Sequence, residues 1–354
     1  MREPSRGRGG FTLGRALGLC GVFLVLVLGM FLLAVPFGEQ SVSLALALRE
    51  PRSSDATIFW TIRLPQALLA ALVGAGLAAS GSTLQGVLRN PLADPFILGV
   101  SGGAALGATL ALAMGLATVD EVAPGLRGGL ARLSAPALFA FVGAGASMLL
   151  VLVSIRSHGG RTPHAALLTG VVFNTFASAA ITLIKVMSPP NRLGEILHWL
   201  VGRLGFESLG TLALSALLQA VAIGVMMALS GRLNLLTLGD EDASSLGVHV
   251  ARTRRVLLLA ASASVAGCVA ISGMIGFVGL IVPHLLRLTF GPDQRLLVPL
   301  SALGGAAFLL LSDLLARLAY SSFGQEVPVG AITALLGGPL FLVMLNRGSR
   351  MTVG

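Results

Sequence analysis

About ten apolar runs, each long enough to cross a lipid bilayer as a helix, leave this chain few ways to fold. They are centred near residues 25, 76, 106, 144, 176, 219, 265, 282, 307 and 337. A transmembrane helix takes about 20 predominantly apolar residues. Lipid offers no hydrogen-bond partners, so each run must satisfy its own backbone, which a helix does. Composition agrees: 55% of residues are hydrophobic and 11% charged, where soluble domains carry about 25% charged residues. The sequence predicts an all-α polytopic membrane protein with about ten transmembrane helices per subunit, forming a single transmembrane domain over residues 1–354. The runs near 265 and 282 are the least distinct, because Gly273, Gly276, Gly279 and Pro283 interrupt one long apolar stretch.

Charge sets the expected orientation. The first run follows Arg2, Arg6, Arg8 and Arg15. At about 20 residues it exceeds the 7 to 15 of a signal-peptide core, and no A-x-A-like site follows it. We expect an uncleaved first helix behind a cytosolic basic segment, 1–15. With ten spans and both termini cytoplasmic, fifteen of the 24 basic residues fall in inner segments, as the positive-inside rule requires. The sequence pI near 11.3 thus reflects topology, and no basic-aromatic surface indicates nucleic acid. Cys20 and Cys268 fall inside spans and read as small buried hydrophobes.

The stretch 74–108 is crowded with Gly, Ala and Ser and broken by a polar turn holding Asn90, Pro91, Asp94 and Pro95. Two prolines so close cannot both sit within one regular helix. Two helices are expected to meet there, with small residues letting neighbouring backbones approach. Upstream, the segment 37–60 is too polar to span and belongs outside, with Trp60 near the headgroups. Arg63-Leu64-Pro65 opens the second span, proline being tolerated in a first helical turn. In the fifth span Asn174, Thr175 and Ser178 either bond neighbouring helices or line a solute path. Ser188-Pro189-Pro190 breaks the chain before an amphipathic outer helix at 195–203.

The longest inner segment is 231–255. Asp240 reads there as an N-cap, Glu241 and Asp242 suit the positive end of a helix, and Gly247 suits its stop. Ser80-Gly81 reappears as Ser272-Gly273, and Gly102-Gly103-Ala104-Ala105 as Gly304-Gly305-Ala306-Ala307, at offsets of 192 and 202. Two weakly repeated halves of five spans are expected. Five being odd, the second half runs through the membrane inverted, a transporter signature.

Several chemistries are excluded or disfavoured. The one lysine, Lys185, lies outside any G-x-x-x-x-G-K-[ST] loop, so an ATPase would have to be another polypeptide. Five scattered histidines and two separated cysteines form no metal-ligand spacing, so neither metal nor organic cofactor is expected on this chain. Residues 99–103 satisfy G-x-S-x-G around Ser101, a match that a chain with 46 glycines makes easily, and no histidine sits convincingly in a span to activate it. An ion-coupled secondary transporter would need ligands inside the spans, where only Lys185 and Asp313 come near, both close to span ends.

The motifs, taken in order, resemble the membrane permeases of type II ATP-binding-cassette importers for ferric siderophores, haem and cobalamin. They are Arg63-Leu64-Pro65, residues 81–85 with 90–95 and 98–103, residues 233–239 with 246–248, residues 273–287 (GMIGFVGLIVPHLLR), and 336–341. The resemblance implies ten spans in a bacterial inner membrane, a second permease subunit forming a homodimer or sometimes a heterodimer, and a path between subunits. It implies two cytosolic subunits that bind ATP and Mg, and a periplasmic binding protein. It makes Asp240, Glu241, Asp242, Ala243, Leu246 and Gly247 the coupling helix that seats in the ATPase. It makes Arg63 and Arg317 docking residues for the binding protein, with Gln66 where some relatives carry a further arginine. It places an inner gate at Thr162, Pro163 and His164. The expected cargo is a ferric siderophore, with haem or cobalamin as the alternatives.

Overall fold

The computed structural model describes residues 12–38, 42–122, 134–157, 163–205, 208–325 and 327–351. Helices α1 (Leu13–Ala34), α2 (Leu44–Arg49) and α3 (Ser54–Ile58) come first, and a π-helical turn, Phe59–Arg63, joins α3 to α4 (Leu64–Val87). A 3-10 turn, Pro95–Leu98, precedes α5 (Val100–Met114), then α6 (Val119–Val122), α7 (Ala135–Ser157), α8 (Pro163–Met187) and α9 (Pro190–Leu200). The remainder comprises α10 (Leu209–Ala228), α11 (Ser230–Leu238), α12 (Asp240–Ser245), α13 (Val250–Ser272), α14 (Val278–Phe290), α15 (Gln294–Phe323) and α16 (Val329–Met351). Among the described residues seven helices are long and apolar enough to cross a bilayer, and shorter apolar helices at 100–114, 278–290 and 329–343 complete the expected ten.

Helix α4 is the axis of the bundle. Its residues from Gly76 to Val87 are all buried, and it packs against α10, α13, α14 and α15. Glycine makes these contacts close. A Cβ on Gly74 would run into the Gly305 carbonyl of α15, and one on Gly81 into the Gly279 carbonyl of α14. Gly103 of α5 and Gly143 of α7 stand in the same mutual relation. Without a hydrophobic force between helices in lipid, this backbone-to-backbone packing is what holds them.

Proline explains two departures from regular helix. Pro65 sits in the first turn of α4, as the sequence suggested, but helical backbone precedes it, in a run that begins at Ser54. Lacking an amide, Pro65 removes one bond of the ladder, and the backbone widens into the π turn just before it, where the Leu64 amide reaches Phe59 O. Pro283 sits inside α14 and leaves the Gly279 carbonyl without its amide. Gln85 of α4 fills the gap: its Nε2 donates to Gly279 O (3.5 Å) and to Leu280 O (3.2 Å). Such re-satisfaction from a neighbouring helix is how proline is tolerated within a span.

The long apolar stretch at 250–290 divides cleanly. Gly273 (φ +67°) ends α13 and Phe277 (φ +69°) starts α14. Of the two sequence landmarks, Ser80-Gly81 and Ser272-Gly273 end up on or at the end of corresponding spans, α4 and α13. The glycine-alanine pair does not correspond: residues 102–105 lie on α5, the third span, whereas 304–307 lie on α15, the ninth. That likeness reflects the common need for small residues at close contacts.

Candidate functional site

At one end of α4 the polar turn expected from the sequence forms as two side-chain turns. Asn90 Oδ1 accepts from the Leu92 amide (2.9 Å) and Asp94 Oδ1 from the Phe96 amide (2.8 Å). Each acidic or amide side chain here mimics a backbone turn, and the prolines, Pro91 and Pro95, keep the segment from extending either helix. The same turn brings Arg89, in a left-handed conformation (φ +51°), beside α11 and α12.

Helix α12 is the short inner helix anticipated at 241–246, begun one residue earlier. Asp240 is not its N-cap. Gly239 holds that position and makes no side-chain cap bond, while the Asp240 carboxylate pairs with Arg89 and with Arg254 of α13 (2.7 Å). Charge-assisted bonds to two guanidinium groups outcompete a neutral amide. Although partial burial pushes the Asp240 carboxyl upward, hydrogen bonds and charge from Arg254 and Arg89 hold it below the usual carboxylate value. Ala243 points inward and is fully buried, whereas Glu241, Asp242 and Gly247 are exposed and Leu246 is 60% exposed. The outer side of α12 thus carries two exposed carboxylates, Glu241 and Asp242, and is followed by the exposed Leu246. The segment 231–255 also contains α11, which the sequence did not suggest. Asn234 of that helix donates to Asp293 (2.6 Å) and accepts from the Gln294 amide (2.8 Å), and Gln294 in turn accepts from Ser82 of α4 (3.1 Å).

The opposite end of α4 opens a cavity of about 620 Å³ lined by Arg63, Gln66, His198, Arg203, Asp313, Arg317 and Tyr320, among others. Arg63 and Arg317 are part of its wall and do not project freely: Arg63 is 7% exposed and the Arg317 side chain 12%. For Arg317 the reason is Asp313, fully buried in α15. It forms an ion pair with Arg317 one turn on (2.8 Å) and accepts from Gln66 (2.9 Å), because a buried carboxylate must be paired and hydrogen-bonded. Arg317 also donates to Phe37 O (3.0 Å). Asp313 is thereby committed to its neighbours.

On α8, Asn174, Thr175, Ser178, Ala179, Thr182, Leu183 and Val186 line an open trough. Thr175 and Thr182 turn their hydroxyls back onto the carbonyls of Val171 (3.0 Å) and Ser178 (2.9 Å). Asn174 joins both earlier readings, since its amide donates to Phe96 O (2.7 Å) while the same residue borders the trough. Of the gate residues, Thr162 lies outside the described residues, and of Pro163 and His164 only their place in the first turn of α8 is described.

Ser101 is buried and its hydroxyl has no hydrogen-bond partner among the described residues, so none of these is positioned to activate it as a nucleophile. Cys268 is buried and free, as expected of a packing residue. Among the described residues no three His, Cys, Asp or Glu side chains converge as a metal site. The roles of Arg89, Arg254 and Gln85 escaped sequence reasoning. The Asp313–Arg317 pair had a visible signal, its i,i+4 spacing.

Residues 21–347 match the FecCD transport family. A cobalamin import system permease protein of Halobacterium salinarum is 43% identical over 290 residues, 82% of this chain and 73% of that one. A hemin transport system permease protein of Yersinia pestis is 39% identical over 334 residues, 93% of this chain and 95% of that one. A solved structure described as an inward-facing ABC transporter of the metal-chelate type superposes with a TM-score of 0.79 at 31% identity, covering 94% of this chain and 99% of that one. The chain therefore belongs to the FecCD transport family and is the multi-span permease subunit of an ATP-binding-cassette importer, a transport subunit whose ATPase is a separate polypeptide.

Proposed function

We propose that this permease passes a ferric siderophore into the cytoplasm along the α8 trough, which faces the same trough of a second copy. The trough carries this reading. It offers three hydroxyls on exposed residues, Thr175, Ser178 and Thr182, and the Asn174 amide, with no formal charge among its lining residues, on a helix whose other exposed side chains are apolar. Exposed hydroxyls and amides on a membrane span face water or a partner, not lipid. A bulky hydrated chelate needs such a wall, which wets it without binding it tightly. Haem and cobalamin, the cargoes named for two relatives, are the alternatives. An ion-coupled mechanism loses its best ligand, because Asp313 is already paired with Arg317 and Gln66.

In this reading the whole chain is one transmembrane domain with both termini and α12 on the cytoplasmic side. Two ATPase subunits, which hold the ATP and Mg, seat on Glu241, Asp242, Leu246 and their neighbours, and this chain binds no cofactor. The cavity at the other end of α4 receives acidic groups of a periplasmic binding protein at Arg63 and Arg317. Thr162, Pro163 and His164 close the inner mouth.

The test is uptake of radiolabelled ferric siderophores, haem and cobalamin, side by side, in cells lacking the gene and in cells carrying it back, either wild type or Ser178→Trp. Restored siderophore uptake that needs a partner ATPase and is blocked by Ser178→Trp supports the reading. Restoration of haem or cobalamin alone moves the cargo to that alternative. Normal uptake by Ser178→Trp removes α8 from the path.

A further inference from the structure

We propose that Arg89 and Arg254 are positioning residues that lock the coupling helix onto the two central spans, so that α12, α4 and α13 move as one body when the ATPase subunits close. The inference rests on the reading of α12 as the coupling helix.

A six-residue helix does not hold itself together in water, because nucleation outweighs the few bonds it makes. Something must fix α12 if a push on it is to reach the membrane. Among the described residues Ala243 is the one residue of α12 that is buried, so packing holds its underside at one point. The side-chain tie to the spans is the Asp240 carboxylate, whose Oδ1 accepts from Nη2 of Arg89 and from Nη2 of Arg254 (2.7 Å).

The two arginines come from different elements. Arg89 follows the last turn of α4 and also donates through Nε to Leu236 O near the end of α11 (2.7 Å). Its guanidinium therefore ties α4, α11 and α12 at one point. Arg254 is the fifth residue of α13 and is only 6% exposed. A cation so placed requires a counter-charge, and removing one partner of such a pair is far costlier than the pair is stabilising. Arg254 thus fixes the direction of the Asp240 carboxylate, and Arg89 uses it. From α4 the connection continues inward, since Gln85, one turn before Arg89, holds the proline-broken start of α14 by its carbonyls.

The complete transporter, with permease, ATPase subunits and cognate binding protein, is to be assembled in liposomes with Arg89→Gln, Arg254→Gln or the conservative Arg254→Lys. Three quantities are read: ATPase subunit co-purified with the permease, basal ATP hydrolysis, and stimulation of hydrolysis by the binding protein. The expected result is intact co-purification and basal hydrolysis in Arg89→Gln, with stimulation reduced at least about five-fold, and recovery of stimulation in Arg254→Lys relative to Arg254→Gln. Unchanged stimulation in both glutamine variants overturns the proposal. So does loss of the assembled complex in both, which would make the pair a fold support only. Leu246→Asp tests the underlying reading separately: if the ATPase still co-purifies with that variant, α12 is not the docking helix, whatever the arginines do.

Discussion

The bond between Gln85 and the proline-broken helix α14 gives a sharp test of how this bundle is held. Gln85→Leu keeps the volume and removes the donor to Gly279 O and Leu280 O. Two opposing effects follow. Loss of an interhelical side-chain hydrogen bond in a membrane protein costs about 0.6 kcal/mol on average and up to about 1.7, and a buried carbonyl left unsatisfied adds to that. Against it, Gln85 Oε1 is itself buried without a partner among the described residues, and leucine relieves that penalty. The single variant should therefore destabilise by only about 1 kcal/mol, a shift too small to interpret alone. The informative quantity is the cycle with Pro283→Ala, which restores an amide able to reach Gly279 O along the helix. Once that carbonyl has its own partner, Gln85→Leu should lose most of its cost, giving a coupling of about 0.5–1.5 kcal/mol. Equilibrium unfolding in mixed micelles, followed by helix signal on all four proteins, measures it. Additive effects within about 0.3 kcal/mol would show that Gln85 does not compensate the proline.

Gly81→Ala should be among the most damaging single changes, because the added methyl meets the Gly279 backbone. Overpacking against atoms that cannot rotate away costs about 1–3 kcal/mol, so a melting temperature in detergent equal to wild type would refute the close approach of α4 and α14. Charge reversal at Arg63 and Arg317 should slow association of the binding protein, more at low salt than at high; association rates by surface-immobilised permease that ignore both the substitutions and the salt would remove the docking role. For Asp240 the sign is set by its lowered carboxyl. A carboxylate held below its unfolded value contributes stability above that value, near pH 3.8, and loses it as pH falls through the folded one. ATPase co-purification that depends on Asp240 should thus be flat from neutral pH down to about 5. Asp240→Asn should weaken it across that whole range, whereas a wild-type loss centred near pH 6 would point to another group.

Much of the architecture was legible because the bilayer makes local sequence decisive. Ten apolar runs sufficed to place ten helices, since a buried backbone in lipid has one local solution. The small-residue stretch at 74–108 announced close packing before any partner was known, as Gly81 and Gly103 bear out. What stayed hidden depends on partners distant in the chain. Arg63 reads as an outer-face arginine at the start of a span. It is buried beside the cavity that it shares with Asp313, whose hydrogen-bond partner Gln66 lies 247 positions away. No local pattern reports that proximity. Asp240 was misread for a related reason. Its position before a short helix fits an N-cap, and only the arrival of Arg89, 151 positions upstream, diverts the carboxylate.

The inner arginines show the limit of counting charge. In the sequence Arg89 stands beside the polar turn and Arg254 in the segment 231–255, and both count among the fifteen basic residues that orient the chain, with no contact assigned to either. The positive-inside bias would be served equally by any exposed arginine on that face, as by Arg232, Arg252 and Arg255, which are exposed there. A side chain that serves orientation alone has no reason to be buried, because desolvating a guanidinium is costly. Arg254 pays that cost and Arg232 does not, so burial separates an arginine retained for topology from one retained for its contact with Asp240.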